Sequence, residues 1–71
     1  MRLTVVIHHD GPQYWSEVPE LPGCFASGRT LTELGEALGE AIGLYVWDRS
    51  ATIEPLELVA GVNEITAQPG P

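Results

Sequence analysis

Positive charge is nearly absent from this chain: Arg2, Arg29 and Arg49 are its only bases, set against ten acids, for a net charge of −7 over 71 residues. Three scattered arginines do not make a nucleic-acid surface. The acidic balance repels a phosphate backbone and favours a basic partner, although acidity that only maintains solubility would look the same. A single cysteine, Cys24, excludes an intramolecular disulfide. No apolar run reaches spanning length and no charged head precedes an apolar segment, so neither a membrane helix nor a signal peptide is expected, and the chain is placed in the cytoplasm. Phosphate-binding loops are missing too, since Gly11, Gly23 and Gly28 are isolated and none opens a helix. There are no internal repeats. A chain of 71 residues with 44% apolar composition is one globular domain, close to the size below which a single core needs staples.

What is present is organised around Tyr14 to Gly28, YWSEVPELPGCFASG. It opens with a period-two run, Tyr14, Ser16 and Val18 on one side and Gln13, Trp15 and Glu17 on the other, as a strand with two unlike faces does. Pro19 and Pro22 then each remove a backbone donor and fix φ, and Gly23 admits angles other residues avoid, so Pro19–Gly23 is a rigid corner. Cys24–Ser27 resumes an extended run. Upstream, Leu3–His8 is β-branched and alternating, and Asp10-Gly11-Pro12 turns it back as a hairpin onto Gln13–Val18. Three antiparallel strands in a meander are the result.

Thr30-Leu31-Thr32-Glu33 forms a capping box and starts a helix. Leu31, Leu34, Leu38, Ile42 and Tyr45, with Ala41 beside them, make its apolar stripe, and Glu33, Glu36 and Glu40 fall on the opposite side. Gly35, Gly39 and Gly43 lie four apart, each less favourable than Ala by about 1 kcal/mol in a helix. Such a stripe implies close approach to the helix backbone, either by the sheet beneath or by another copy's helix. Asp48-Arg49-Ser50 ends the helix and the stretch up to Gly61 reads as a linker. Val62–Ala67 is a last short strand, with Leu56–Val59 as the competing choice. The expectation is therefore an α+β fold in the order β-β-β-α-β: a three-stranded antiparallel meander, one helix on one face, and a short fourth strand reached by a crossover. One domain covers residues 1–67, and 68–71 form a disordered tail.

A helix on one face leaves the other bare. With Leu3, Val5, Ile7, Tyr14, Ser16 and Val18 beneath the helix, Val6, His8, Trp15, Glu17 and Phe25 lie uncovered. That is more aromatic and aliphatic surface than a small monomer leaves wet, so the face is expected to associate, with itself or with a partner, and the chain to be at least a dimer.

Catalytic chemistry finds little support. Two-metal hydrolysis needs carboxylates that converge, whereas Asp10 sits in a turn and Glu33, Glu36 and Glu40 face solvent. His8, His9, Asp10 and Cys24 could be written as a metal set, but neighbours on a strand point to opposite faces. Nothing near Cys24 in sequence would lower its pKa, so it reads as buried filler beside Phe25. No catalytic, cofactor or metal residue is expected.

Tyr14, Val18-Pro19, Leu21-Pro22-Gly23-Cys24, Gly28, Thr30, Glu36-Ala37 and Glu40-Ala41-Ile42 together resemble the N-terminal domain of HicB-like antitoxins, over about half the chain. The resemblance implies a small, degraded ribonuclease-H-like domain without catalytic acids, which silences a small basic endoribonuclease, a HicA-like toxin. On that reading Glu17, Glu20, Glu33, Glu36 and Glu40 steer the encounter, and Trp15 and Phe25 supply buried area. Longer relatives carry a C-terminal DNA-binding segment, and only four residues follow Ala67 here, so direct nucleic-acid binding is not expected. Two rivals remain: a stand-alone oligomeric domain with a regulatory or ligand-binding role, and a divergent hydrolase.

Overall fold

Alternation along β1 (Arg2–Asp10) sets the two faces of the whole sheet, because this strand lies at its centre. The computed structural model describes residues 1–55 and 57–70. Leu3, Val5 and Ile7 are buried, while Thr4, Val6 and His8 are half-buried on the other side. The Gly11-Pro12 turn brings Asp10 opposite Gln13 and folds β2 (Gln13–Glu17) antiparallel onto β1. The proline-rich corner closes through two successive turns, Leu21 N–H to the Val18 carbonyl at 2.9 Å and Cys24 N–H to the Leu21 carbonyl at 3.0 Å, with Gly23 at φ 88. Leu21 and Cys24 point into the core. β3 (Phe25–Gly28) then pairs antiparallel with β2.

Thr30 caps α1 (Leu31–Val46), its hydroxyl accepting the Glu33 amide at 3.1 Å. The reciprocal half of the expected capping box, a bond to the Glu33 carboxylate, is not made among the described residues. Leu34, Leu38 and Ile42 are fully buried against the sheet and Leu31 is half-buried. Tyr45 departs from the expected stripe: it is 49% exposed, and its hydroxyl donates to the Pro22 carbonyl at 2.9 Å, tying the last helical turn to the corner. Asp48, at φ 57, reverses the chain after the helix, and the Arg49 amide turns back to the Gly43 carbonyl at 3.3 Å.

The sheet has five strands where four were expected. β4 (Ala51–Glu54) lies inside the stretch read as a linker. β5 (Gly61–Pro69) contains the expected 62–67 strand and extends it at both ends. Of the competing choice, Leu56 lies outside the described residues and Glu57–Val59 are not in a strand. Beyond the expected strand, Gln68 and Pro69 pair with Thr52 and Ala51, and the Gly70 amide donates to the Ser50 carbonyl at 2.9 Å; Pro71 lies outside the described residues. The strand order is β3-β2-β1-β5-β4 with every neighbouring pair antiparallel. It follows that β3 and β4, at opposite edges, run parallel, and α1 is the crossover between them.

The glycine stripe explains why β4 fits. A Cβ at Gly39 would stand 2.8 Å from the Ala51 carbonyl oxygen, and one at Gly43 would overlap the Arg49 carbonyl and stand 2.6 Å from the Ala51 nitrogen. The close neighbour is the chain's own turn and edge strand. Gly35 differs, since a Cβ there would meet only the end of Leu58, at 3.6 Å.

Candidate functional site

The even-numbered residues of β1 and the odd-numbered residues of β2 share the face that α1 does not cover. Their antiparallel register sets His8 opposite Trp15 and Val6 opposite Glu17. On the far side of β2, Phe25 stands opposite Glu17; on the far side of β1, Val62 stands opposite Val6. One row across the sheet therefore reads Phe25, Glu17, Val6, Val62, and the next holds Trp15 and His8. Trp15, Phe25 and Val62 are 37%, 62% and 69% exposed there, whereas Leu3, Val5 and Ile7, on the other face of β1, are buried in the core. The uncovered set expected from the alternation is thus brought together on one surface.

Within it, His8 is more than a neighbour. Its ring stacks on Trp15 with centroids 4.1 Å apart and planes 18° from parallel. Its Nε2 lies 3.0 Å from Glu17 Oε2, and since a carboxylate only accepts, Nε2 carries the proton in that bond. The three side chains hold one another in place: the imidazole fixes the indole plane and turns the carboxylate. His9 stacks instead on Tyr14, 4.2 Å away. Adjacent histidines therefore serve different contacts and do not converge on one ion. Among the described residues no three His, Cys, Asp or Glu side chains gather as a metal set. Cys24 is buried, and burial pushes its thiol pKa up, away from nucleophile chemistry.

The five acids expected to steer a partner divide into three groups. Glu17 is in the aromatic cluster. Glu20 is engaged by its own chain: its carboxylate accepts from the Thr4 amide at 3.0 Å and from the Thr4 hydroxyl at 2.9 Å. Glu33, Glu36 and Glu40 are exposed on α1, which lies on the opposite side of the sheet from Trp15 and Phe25. The seven residues singled out in the sequence do not form one patch. His8, which the alternation already set on the uncovered face, and Val62, which it did not, also belong to the surface; the Asp10-Gly11-Pro12 turn fixes the register that puts His8 across from Trp15.

Away from this face, a groove of about 480 Å³ lies between α1 and β4, lined by Gly35, Glu36, Gly39, Ile53 and Glu57 among others.

One helix over one face of an antiparallel sheet, with an aromatic and acidic cluster on the bare face, defines a small α+β domain. The chain belongs to the HicB-like antitoxin family: the family model described as the HicB-like antitoxin of bacterial toxin-antitoxin system matches residues 3–70. It is also similar to the UPF0150 protein of Archaeoglobus fulgidus, at 35% identity over 71 residues, covering 99% of this chain and 100% of that one. No solved structure gives a significant match.

Proposed function

We propose that the chain neutralises a small basic endoribonuclease of the HicA-like kind by docking it on the bare face of the sheet. The observation that carries this is the exposed Trp15, Phe25 and Val62 on one face of a chain with net charge −7, a surface in which apolar anchors stand in an acidic field. Action is by occlusion of the toxin, so the chain itself is no enzyme, needs no cofactor and contacts no nucleic acid directly. A partner that cleaves RNA puts the pair in the cytoplasm. The test is an RNA-cleavage assay with the small basic protein encoded beside this chain: micromolar antitoxin should protect the RNA, and failure both to bind and to protect would end this reading.

An at least dimeric state is part of the proposal. Two acidic chains repel, so self-association should strengthen as salt is raised, whereas binding of a basic toxin should weaken. A second reading, a regulatory ligand-binding domain, draws on the groove between α1 and β4, whose volume falls in the range of small-molecule pockets. A small molecule that shifts the resonances of Gly35, Gly39 and Ile53, in a chain that binds no toxin, would favour it.

A further inference from the structure

We infer that the cluster of His8, Trp15, Glu17 and Phe25 is a seat for one arginine side chain of the partner. The inference rests on reading the bare face as the toxin-docking surface, and names the group that surface grips. A guanidinium is a flat cation that is best held when its plane lies on an aromatic ring and its edge meets a carboxylate. The chain already fills half of that arrangement with its own imidazole: a flat nitrogen ring, stacked on Trp15 at 4.1 Å, with its edge on Glu17 at 3.0 Å. His8 occupies only one oxygen of the carboxylate. Among the described residues no donor reaches Glu17 Oε1, and both the His8 and Glu17 side chains are 41% exposed. On the other side of Glu17 stands Phe25, its direct partner across the strands, with its ring in solvent. Paired positions on one face bring side chains within about 5.5 Å at Cβ. A guanidinium entering there reaches the free oxygen with its edge and the Phe25 ring with its face, while His8 and Trp15 keep the carboxylate from swinging away.

The ligand is arginine rather than lysine because a compact ammonium gains the charge and loses the stacking. It is a protein side chain rather than a free cation because one seat on an open surface binds weakly alone and contributes mainly as part of a larger interface.

The experiment is a nuclear magnetic resonance titration of the full chain with N-acetyl-arginine amide and N-acetyl-lysine amide, read at the Trp15 indole and the His8 ring. Arginine amide should give saturable shifts with about fivefold higher affinity than lysine amide. Glu17→Gln should abolish the shifts and Phe25→Leu should weaken binding about threefold. Asp48→Asn, which removes the same charge beyond the end of the helix at a position whose backbone Asn also tolerates, should leave binding as in the parent. Equal affinity for the two amides, or a Glu17→Gln response like the parent's, overturns the inference. Separately, a toxin that binds Glu17→Gln as tightly as the parent overturns the seat while the antitoxin reading stands. Arginine amide binding as described, with no toxin bound, upholds the seat and removes the antitoxin reading.

Discussion

Glu20 stands in for a missing length of strand. β2 ends at Glu17, opposite Val6, so the Thr4 amide on that side of β1 has no strand to meet, and the Glu20 carboxylate takes it. The Thr4 amide above all, then the amide of Glu20 itself and the Thr4 hydroxyl, hold this carboxyl below its ordinary value of 4.5. A carboxyl depressed on folding contributes stability that is complete above the unfolded value and is lost as pH falls through the folded one. Glu20→Gln should therefore melt below the parent at neutral pH, with the gap narrowing below about pH 4, as followed by circular dichroism. The residue was legible as an acid on a rigid corner, but its role was not, because its partner lies 16 positions away on a strand whose own alternation gives no hint of an open edge. Asp48 is a simpler case. Its φ of 57 crowds Cβ against the backbone, a strain that glycine lacks. Asp48→Gly is expected to stabilise by about 0.5 to 1 kcal/mol in urea unfolding.

Between elements, the contact of α1 with β4 is one of backbone on backbone. At Gly43 any side chain must displace the Arg49 carbonyl and Ala51 amide, which belong to a short segment held by the Gly70 amide and by pairing with β5. Gly43→Ala should thus destabilise by about 1 to 3 kcal/mol despite the better helix propensity of Ala. Gly35→Ala meets only ordinary contact, and should stabilise by up to about 1 kcal/mol. Denaturant midpoints of the two variants would move in opposite directions; movement in the same direction would show that the spacing of the glycines, rather than what lies over them, sets their effect. The meander, the corner and the helix were legible because each has a periodic pattern or a fixed punctuation. β4 was not. Its four residues contain one buried large apolar side chain, Ile53, too short a run to show alternation, and it is held by a vacancy on the helix that the sequence displays only as glycines.

For the whole molecule, the sheet stands between the exposed acids of α1 and the aromatic side chains of the bare face. On the proposed docking over Trp15 and Phe25, Glu33, Glu36 and Glu40 lie outside the contact and would act through the field alone, on the rate of encounter. Replacing all three by Gln should slow association and flatten its salt dependence without changing dissociation. The proposed dimer is checked by sedimentation at micromolar concentration, where a 7.7 kDa species alone would remove it. Which strand residues share the bare face was legible from period-two alternation, as Trp15 and Phe25 attest. The place of Val62 beside Val6 was not, because it depends on which strand β5 pairs with, and alternation says nothing of that.

If the bare face holds the toxin, as proposed, the dissociation rate of the Trp15→Ala variant shows it most directly. Surface binding kinetics against the purified toxin should show dissociation faster by about thirtyfold, the equivalent of about 2 kcal/mol for a buried aromatic anchor, with association nearly unchanged. A toxin that leaves Trp15→Ala and the parent at the same rate would show that it sits elsewhere.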